Sequence, residues 1–267
     1  MADPQTKHLL DIATEAAYVA GRHSLRYFNT GVAVDTKSDD SPVTIADREG
    51  EQIVRSIIAR HLPTHSIVGE EHGASAGDPD FKWFVDPIDG TKSFIHGIPL
   101  YSVLIGCEIR GRVDVGVIYM PAVDELVAAA TGLGCSWNGR RARVSTTDSL
   151  ADAMLLCTDL KMTRARNDAY DQLESITKLQ RCAYDAYGYA LVATGRADIV
   201  IDPVMNVWDC GPLPVILREA GGRFSTWAGE ETIHGGDAVA TNGLLHASVL
   251  PILASTRQTT ASPMHAR

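Results

Sequence analysis

Four acidic residues stand at positions where they could do chemistry together, directly after strand-like segments or at the start of a helix-like one. Asp86 and Asp89 are three residues apart in WFVDPIDGTKSF, with Pro87 between them. Glu70 follows the apolar segment SIVG, and Asp209 opens the segment WDCGPLPVILREAGG far downstream. Carboxylates at element ends can converge on one point, where their mutual repulsion requires a compensating cation. Oxygen ligands without cysteine or histidine favour a hard cation, magnesium above all.

The turn DPIDGT suits a metal-bound phosphate. Pro87 fixes the backbone so that both aspartates can face one site, and the Ile88 carbonyl can add a neutral oxygen. Gly90 lets the chain pass close to a ligand, and the amides of Gly90 and Thr91 would start a short helix whose positive end accepts phosphate. Ordinary structural interpretations also exist, because an isolated DxxDG is usually a turn and Asp209 can be a helix N-cap.

The elements around these residues follow from their apolar spacing. HLLDIATEAAYVAGRHSLRYF predicts a helix that ends near residues 29–31, and an extended VAVDTK follows it. A second helix is predicted from Thr44 to His61, with Thr44 as N-cap and Asp47 at the third helical position of a capping box. Asp47 could therefore be a capping carboxylate and nothing more.

The rest of the chain alternates strands and helices. Residues 101–130 predict an antiparallel meander, and the Asn-Gly of WNGRRARVS predicts a hairpin. In the second half, MLLCT, DIVID, GRFST and AVAT predict strands, and residues 167–179, residues 185–195 and GLLHASVLPIL predict helices. Pro214 should make the helix of its segment start late or bend. We expect one α/β domain over residues 1–267, with intimately packed halves at about 1–145 and 146–254 and a frayed tail at 255–267.

Composition limits the classes of function. The chain has 267 residues, 45% hydrophobic residues and a formal net charge of −9, which is typical of a globular protein and argues against a nucleic-acid partner. The five cysteines are scattered without a CxxC pair, which indicates reduced thiols and a cytoplasmic protein. The N-terminal segment has charges throughout, unlike a signal peptide. The apolar segments fall short of the roughly 20 residues that span a membrane, so we expect no membrane partner.

Three segments taken together identify a family resemblance. GEEHG, WFVDPIDGTKSFIHGIPLYSVLIG and NVWDCGPLPVILREAGG resemble the signature segments of the inositol monophosphatase superfamily of magnesium-dependent, lithium-sensitive phosphatases. The resemblance extends from about Leu9 to about Leu250. It implies a five-layer αβαβα sandwich, assembly as a homodimer, and two or three Mg²⁺ ions in each active site.

The resemblance also implies the metal ligands. By position, Glu70, Asp86 and the Ile88 carbonyl are similar to the ligands of the first metal ion. Asp86, Asp89 and Asp209 are similar to those of the second, and a third, weaker ion would use Glu70 and water.

The remaining catalytic groups follow from the same resemblance. Thr91, hydrogen-bonded to Asp47, is similar to the pair that orients the attacking water. The amides of Gly90 and Thr91 resemble the family's phosphate cradle, and Lys37 occupies the place of a lysine near the phosphate and the metals.

Two further carboxylates bear on the substrate. Asp185, in RCAYDAYGYALVATG, and Asp202, in VIDPVMNVWD, stand where the inositol-specific branch has a small residue and a glutamate. Asp185 alone could be an N-cap, and Asp202 alone a turn residue before Pro203. Two carboxylates beside the leaving group, however, suit a cationic alcohol better than a neutral polyol. Asp185, the aromatic residue after it and the late segment ATNGLLH resemble the histidinol-phosphate phosphatase branch, which commonly has glutamate at the place of Asp202.

These observations predict a metal-dependent phosphate monoester hydrolase that acts on histidinol phosphate. A phosphate monoester repels hydroxide, so the protein must neutralise phosphoryl oxygens and supply a deprotonated water. One ion, with Glu70 and Thr91 accepting protons, would generate this nucleophile, and another ion, held by Asp89 and Asp209, would stabilise the departing alkoxide of the substrate. Two alternatives stay open. One is an inositol-1-phosphate or broad sugar-phosphate phosphatase on the same metal site, and the other is a binding or regulatory protein that keeps the fold without catalysis.

Overall fold

The computed structural model describes residues 4–254 apart from Tyr184, so the tail predicted at 255–267 lies outside the described residues. Within them the helices are α1 (Pro4–Ser24), α2 (Ile45–His61), α3 (Thr91–Ile95), α4 (Leu160–Arg166), α5 (Ala169–Ile176), α6 (Ala186–Ala193), α7 (Val207–Cys210), α8 (Leu213–Ala220) and α9 (His246–Leu253). The strands are β1 (Val34–Thr36), β2 (Pro42–Thr44), β3 (His65–Gly69), β4 (Gly73–Ser75), β5 (Asp78–Asp89), β6 (Ser102–Ile109), β7 (Arg112–Met120), β8 (Glu125–Ala130), β9 (Gly134–Trp137), β10 (Arg140–Arg141), β11 (Met154–Cys157), β12 (Leu179–Cys182), β13 (Ile199–Asp202), β14 (Arg223–Ser225) and β15 (Ala238–Thr241). None of these helices is long and apolar enough to cross a lipid bilayer.

The first sheet carries the first group of acidic residues. Its eight strands have the order β10-β9-β8-β7-β6-β5-β3-β4. The meander predicted over residues 101–130 is confirmed as β6, β7 and β8, and the predicted hairpin as β9 and β10. β3 runs parallel to β5, with Gly69 opposite Val85. Because Gly69 lies opposite Val85 in this parallel pair, Glu70 and Asp86, the next residue along each strand direction, come side by side.

The second sheet presents the acidic residues of the other half of the chain. Its five strands have the order β12-β11-β13-β15-β14, and β11 is parallel to both of its neighbours. The C-terminal ends of β12, β11 and β13 therefore lie together at one edge of the sheet.

Strand alternation divides the core into layers. In β5, Phe84 belongs to the apolar cluster of the helices between the sheets, whereas Trp83 and Val85 pack in the cluster of α1 and α2. In β13, Val200 belongs to the central cluster, whereas Ile199 packs with α5 and α9. This is the period-two pattern of strands that are buried on both faces. The layers follow as α1 and α2, the eight-stranded sheet, α6 to α8, the five-stranded sheet, and an outer layer with α5 and α9, so the expected αβαβα sandwich is confirmed.

Two helix predictions differ from the structure. α1 ends at Ser24 rather than near residues 29–31, because the amides of Arg26 and Tyr27 bond to carbonyls three residues back and tighten the chain into turns. The helix predicted over 167–179 stops at Ile176, and Leu179 begins β12 at the sheet edge. The shift at the end of α1 is within the ordinary variation of helix ends. The early end of α5 shows that pairing of β12 with the neighbouring strand β11 overrides the helical spacing of the local sequence.

The behaviour predicted for Pro214 is confirmed. α7 ends at Cys210, and α8 starts at Leu213 with Pro214 in its first turn. A proline is tolerated there because the first amides of a helix have no partner within it. The resulting break lets Asp209 lie on its own short helix, which contacts β5.

Candidate active site

A cavity of about 520 Å³ opens where the strands of both sheets end. Both halves of the chain line it. The lining residues include Glu70, Asp86, Ile88, Asp89, Gly90 and Thr91 from the first half, and Thr158, Asp159, Asp185, Tyr189, Asp202, Met205 and Asp209 from the second.

Three of the predicted metal ligands meet at one side of this cavity. Asp86, Asp89 and Asp209 each offer one carboxylate oxygen, and these oxygens all lie within 4.8 Å of one another. Burial, reinforced by neighbouring carboxylates, raises the pKa of Asp86 and of Asp89 well above the ordinary value. Burial likewise raises the pKa of Asp209 to about 7. Buried carboxylates this close together retain protons unless a cation compensates them, and a donor set made only of oxygens fits a hard divalent cation.

The local backbone turns these carboxylates toward one another. The Ile88 amide donates to Asp86 Oδ1 at 3.0 Å, and the pairing with β6 changes register between Asp86 and Asp89. This irregularity releases both side chains from strict alternation. Asp209 occupies the third position of α7, and its Oδ2 accepts the amide of Asn206, the N-cap residue, at 2.8 Å. The interpretation of Asp209 as an N-cap was wrong, because Asn206 is the N-cap and Asp209 completes the capping box from the third helical position while it also lines the cavity.

Glu70 lies beside these aspartates and is held by Lys37. Lys37 Nζ donates to Glu70 Oε1 at 2.7 Å and to Glu71 Oε1 at 2.6 Å. Desolvation alone lowers the pKa of Lys37, but these two hydrogen bonds outweigh it and the pKa is raised. The structure therefore places Lys37 against Glu70, whereas the phosphate contact predicted for Lys37 stays a prediction.

A buried glutamate that sequence reasoning missed holds the chain after β3. Glu51 is fully buried in α2, and its Oε2 accepts the Glu71 amide at 2.6 Å. Arg55 Nε donates to Glu51 Oε1 at 2.6 Å and balances its charge. A signal was available, because Glu51 follows Asp47 by one helical turn on the buried face of α2. The clamp fixes the direction in which Glu70 leaves the strand.

Thr91 and Asp47 form the contact that the resemblance implied. Thr91 Oγ1 lies 3.1 Å from Asp47 Oδ1 and 3.0 Å from the Ile88 carbonyl oxygen. Asp47 Oδ2 accepts the Thr44 amide at 2.8 Å, which confirms the predicted capping box. Burial raises the pKa of Asp47, although these hydrogen bonds oppose the shift. The single hydroxyl proton of Thr91 serves one acceptor at a time, so its lone pairs are free to accept a hydrogen bond from water.

Gly90 and Asp185 lie in contact across the cavity. Gly90 has a φ of +82°, and a Cβ on it would lie 2.6 Å from Asp185 Oδ2, so only glycine fits there. Asp185 adopts φ 48° and ψ −136°, a sparsely populated conformation for a residue with a side chain. Asp185 precedes α6 without capping it. The cap comes instead from Asp89, whose Oδ2 accepts the Ala186 amide at 2.8 Å.

Asp202 ends β13 as a buried, fully engaged carboxylate. Its Oδ1 accepts the Thr158 amide at 3.0 Å, and its Oδ2 accepts the Tyr189 hydroxyl at 2.9 Å. Only 3% of the residue is exposed, and burial raises the pKa of Asp202 to about 7. Burial raises the pKa of Asp185 to about 6. Both predicted substrate residues thus line the cavity, but Asp202 already has a partner on each oxygen.

Asp159 and Tyr189 are among the lining residues that were missing from the sequence-based predictions. Asp159 follows the end of β11 and Tyr189 lies inside α6. Asp159 could have been found, since it follows a buried strand just as Glu70 does. Tyr189 carried no such signal, because its spacing in the apolar helix is that of a core residue.

Comparisons with known proteins agree with this architecture. The model of the family described as "Inositol monophosphatase family" matches residues 5–261. The histidinol-phosphatase of Chlorobaculum parvum is 37% identical over 235 residues, which cover 87% of this chain and 91% of the relative. The histidinol-phosphatase of Mycobacterium tuberculosis is 39% identical over 234 residues, covering 85% and 90%. The solved structure of an inositol monophosphatase from Anabaena is 36% identical, with a TM-score of 0.82 over 92% of this chain and 95% of that one. The chain belongs to the inositol monophosphatase family.

Proposed function

We propose that this protein is a magnesium-dependent phosphate monoester hydrolase whose substrate is histidinol phosphate. The observation that carries the proposal is the cavity, where the carboxylates of Asp86, Asp89 and Asp209 converge and further carboxylates also line the wall. Such a cavity can hold divalent cations against a phosphate and a positively charged group on the alcohol. The family membership and the two histidinol-phosphatase relatives support the same activity.

The chain's own oxygens would hold the metal ions. We assign Glu70, Asp86 and the Ile88 carbonyl to one ion, and Asp86, Asp89 and Asp209 to a second. Glu70 with water would hold a third. Magnesium bound in this way would neutralise phosphoryl oxygens and lower the pKa of a coordinated water.

Thr91, Asp47 and Glu70 would handle the attacking water. Thr91 donates its proton to Asp47 and accepts a hydrogen bond from the water, which orients a water lone pair toward phosphorus. Glu70 lies on the same side of the cavity and can accept a proton, while its hydrogen bond to Lys37 fixes its position. Asp47 acts through Thr91 and is a positioning residue.

The phosphate would lie at the start of α3. The amides of Gly90 and Thr91 are the first of that helix, and a helix start concentrates unpaired donors and positive potential. The positive φ of Gly90 brings the backbone close to the cavity, and Lys37 adds charge behind Glu70. We therefore assign Gly90, Thr91 and Lys37 to phosphate binding.

The substrate class follows from two further carboxylates of the cavity. Asp185 and Asp202 line it together with Asp89 and Asp209, and we assign these four residues to the contacts with the leaving alcohol. A histidinol leaving group carries an amine and an imidazole, and both gain from negative surroundings in a partly dehydrated cavity. A polyol brings no charge to match these carboxylates.

A rate comparison tests the proposal. Phosphate release from histidinol phosphate and from inositol 1-phosphate is measured with Mg²⁺ and after chelation. We expect turnover that requires the metal and a kcat/KM at least about 10-fold higher for histidinol phosphate, the size of one charge-assisted contact. A preference for inositol 1-phosphate would favour the second candidate function, which the 36% identity to the Anabaena inositol monophosphatase supports. No turnover of any monoester with Mg²⁺ bound would favour a regulatory protein.

Assembly and compartment belong to the same proposal. We propose a cytoplasmic homodimer, because the five cysteines are all free and the family resemblance implies a dimer. Light scattering after size-exclusion chromatography tests the dimer, and a mass of one 28.7 kDa chain would contradict it.

A further inference from the structure

Three carboxylates line the alcohol side of the cavity from adjacent strands. In the order β12-β11-β13, Asp185 follows β12, Asp159 follows β11 and Asp202 ends β13. Because β11 is parallel to both neighbours, all three residues lie at the same edge of the sheet, where ligands bind in open α/β sheets. Asp159 is the middle one of the three.

The three carboxylates differ in how far their oxygens are already used. Each oxygen of Asp202 accepts a hydrogen bond from within the protein. Asp159 Oδ1 accepts the Met162 amide at 2.9 Å and thereby caps α4. Among residues 4–183 and 185–254, no group donates a hydrogen bond to Asp159 Oδ2.

No basic side chain neutralises this wall by direct contact. Within the described part of the chain, Asp159, Asp185 and Asp202 have no lysine, arginine or histidine nitrogen within 4.0 Å. Burial raises the pKa of Asp185; the charge of Lys92, which also lines the cavity, opposes this rise, and the negative charge of Asp159 adds to it. Three carboxylates therefore stand against one nearby lysine. The wall therefore has an excess of negative charge that a bound cationic group can balance.

We propose that Asp159 is a specificity-determining residue, whose second carboxylate oxygen binds a protonated nitrogen of the leaving alcohol. This inference rests on the proposed function and deepens it. Asp185 contacts Gly90, which we assign to phosphate binding, whereas Asp159 is the N-cap of α4, whose residue Met162 also lines the cavity. Asp202 accepts the amide of Thr158, the residue before Asp159, and thereby holds the chain that leads to Asp159.

The variant Asp159→Asn tests the effect of the negative charge of Asp159 alone. Asparagine caps helices as well as aspartate does, so Asp159→Asn keeps the bond to the Met162 amide and removes only the negative charge. Asp148→Asn is the matched control, since Asp148 is an exposed aspartate of the same half of the chain that does not line the cavity. It changes the net charge by the same amount.

Two measurements decide the proposal. The first is the ratio of kcat/KM for histidinol phosphate to that for inositol 1-phosphate, which we expect to fall about 10-fold in Asp159→Asn and to stay unchanged in Asp148→Asn. The second is the affinity of the Mg²⁺-loaded protein for histidinol, measured by calorimetry, which we expect to weaken about 10-fold in Asp159→Asn alone.

The two measurements separate this inference from the proposed function. If the parent protein hydrolyses neither ester but binds histidinol, and Asp159→Asn weakens that binding, the hydrolase proposal fails and the role of Asp159 stands. An unchanged kcat/KM ratio, or equal histidinol affinity in parent and variant, overturns the role of Asp159. A parent protein without measurable affinity for histidinol overturns it as well.

Discussion

Replacing Asp202 with asparagine is expected to stabilise the protein, and to do so by clearly more at pH 8 than at pH 5. The folded protein holds a proton on Asp202 up to its pKa of about 7, whereas the ordinary pKa is 3.8. The contribution of Asp202 to the free energy of unfolding therefore falls as pH rises from about 4 to about 7. Asparagine does not ionise, so the free energy of unfolding of the variant does not decrease with pH at this position.

The size of the effect follows from the shift. About three pKa units at about 1.4 kcal/mol each give about 4 kcal/mol as an upper bound on the destabilisation by ionised Asp202 at pH 8. The asparagine oxygen can accept the Thr158 amide, and its NH₂ group can donate to the Tyr189 hydroxyl, so neither hydrogen bond is lost. At about 2 °C for each kcal/mol, the expected rise in Tm at pH 8 is up to about 8 °C.

The assay is thermal unfolding of parent and variant in EDTA at pH 5 and pH 8. The other acidic residues of the cavity are present in both proteins, so most of their contribution cancels in the difference. Asp185, whose charge raises the pKa of Asp202, adds to the expected trend because it loses a negative neighbour in the variant. Tyr189→Phe tests the same contact from the other side, since it deletes the donor to Asp202 Oδ2 and should lower Tm at pH 8. A Tm difference between Asp202→Asn and the parent that does not change from pH 5 to pH 8 would refute the reasoning.

Three further outcomes are expected. Asp89→Asn should lower kcat by at least about 100-fold without lowering the urea midpoint, because the amide oxygen can still accept the Ala186 amide; near-normal turnover would contradict the metal-ligand role. Thr91→Val should lower kcat by about 100-fold, whereas Thr91→Ser should retain most activity because it keeps the hydroxyl that meets Asp47; equal losses in the two variants would exclude a role for the hydroxyl. The Tm increase that Mg²⁺ produces should be larger at pH 8 than at pH 5.5, because Asp209, with a pKa of about 7, must release its proton to bind metal; scanning calorimetry that finds equal increases would show that protons and metal do not compete.

Much of the architecture could be predicted from short-range signals. The capping box of Thr44 and Asp47 is complete within four residues, and the strands carry apolar runs that are buried on both faces. Reliance on short-range signals also explains why the helix predicted over residues 167–179 was too long. The spacing over residues 167–179 is helical, but Leu179 gains a strand partner, Met154, that lies 25 positions earlier.

The cavity was predictable only in part, because the hydrogen bonds that hold its carboxylates join residues that are distant in the sequence. Nothing near Asp202 in the sequence indicates that Tyr189 will donate to it, or that Thr158, 44 residues away, will bond to its other oxygen. Asp159 carries the same sequence signal as Glu70, because each follows the end of a buried strand. The interpretation of the chain as a single domain stays a prediction, which limited proteolysis near residue 145 can test.

The hydrogen bond between Asp89 and the Ala186 amide has a consequence for recombining this sequence with its relatives. Asp89, whose carboxylate caps the N-terminus of α6, is 97 positions away from Ala186 and lies in the other half of the chain. A chimera joined near residue 145 takes the two partners from different parents, so the second parent must present its own amide at the same distance from the first parent's aspartate. Grafted halves that miss this alignment lose the cap of α6 and the position of a cavity-lining carboxylate in one step. Exchanges that keep residues 86–91 and 185–189 from one parent avoid that double loss.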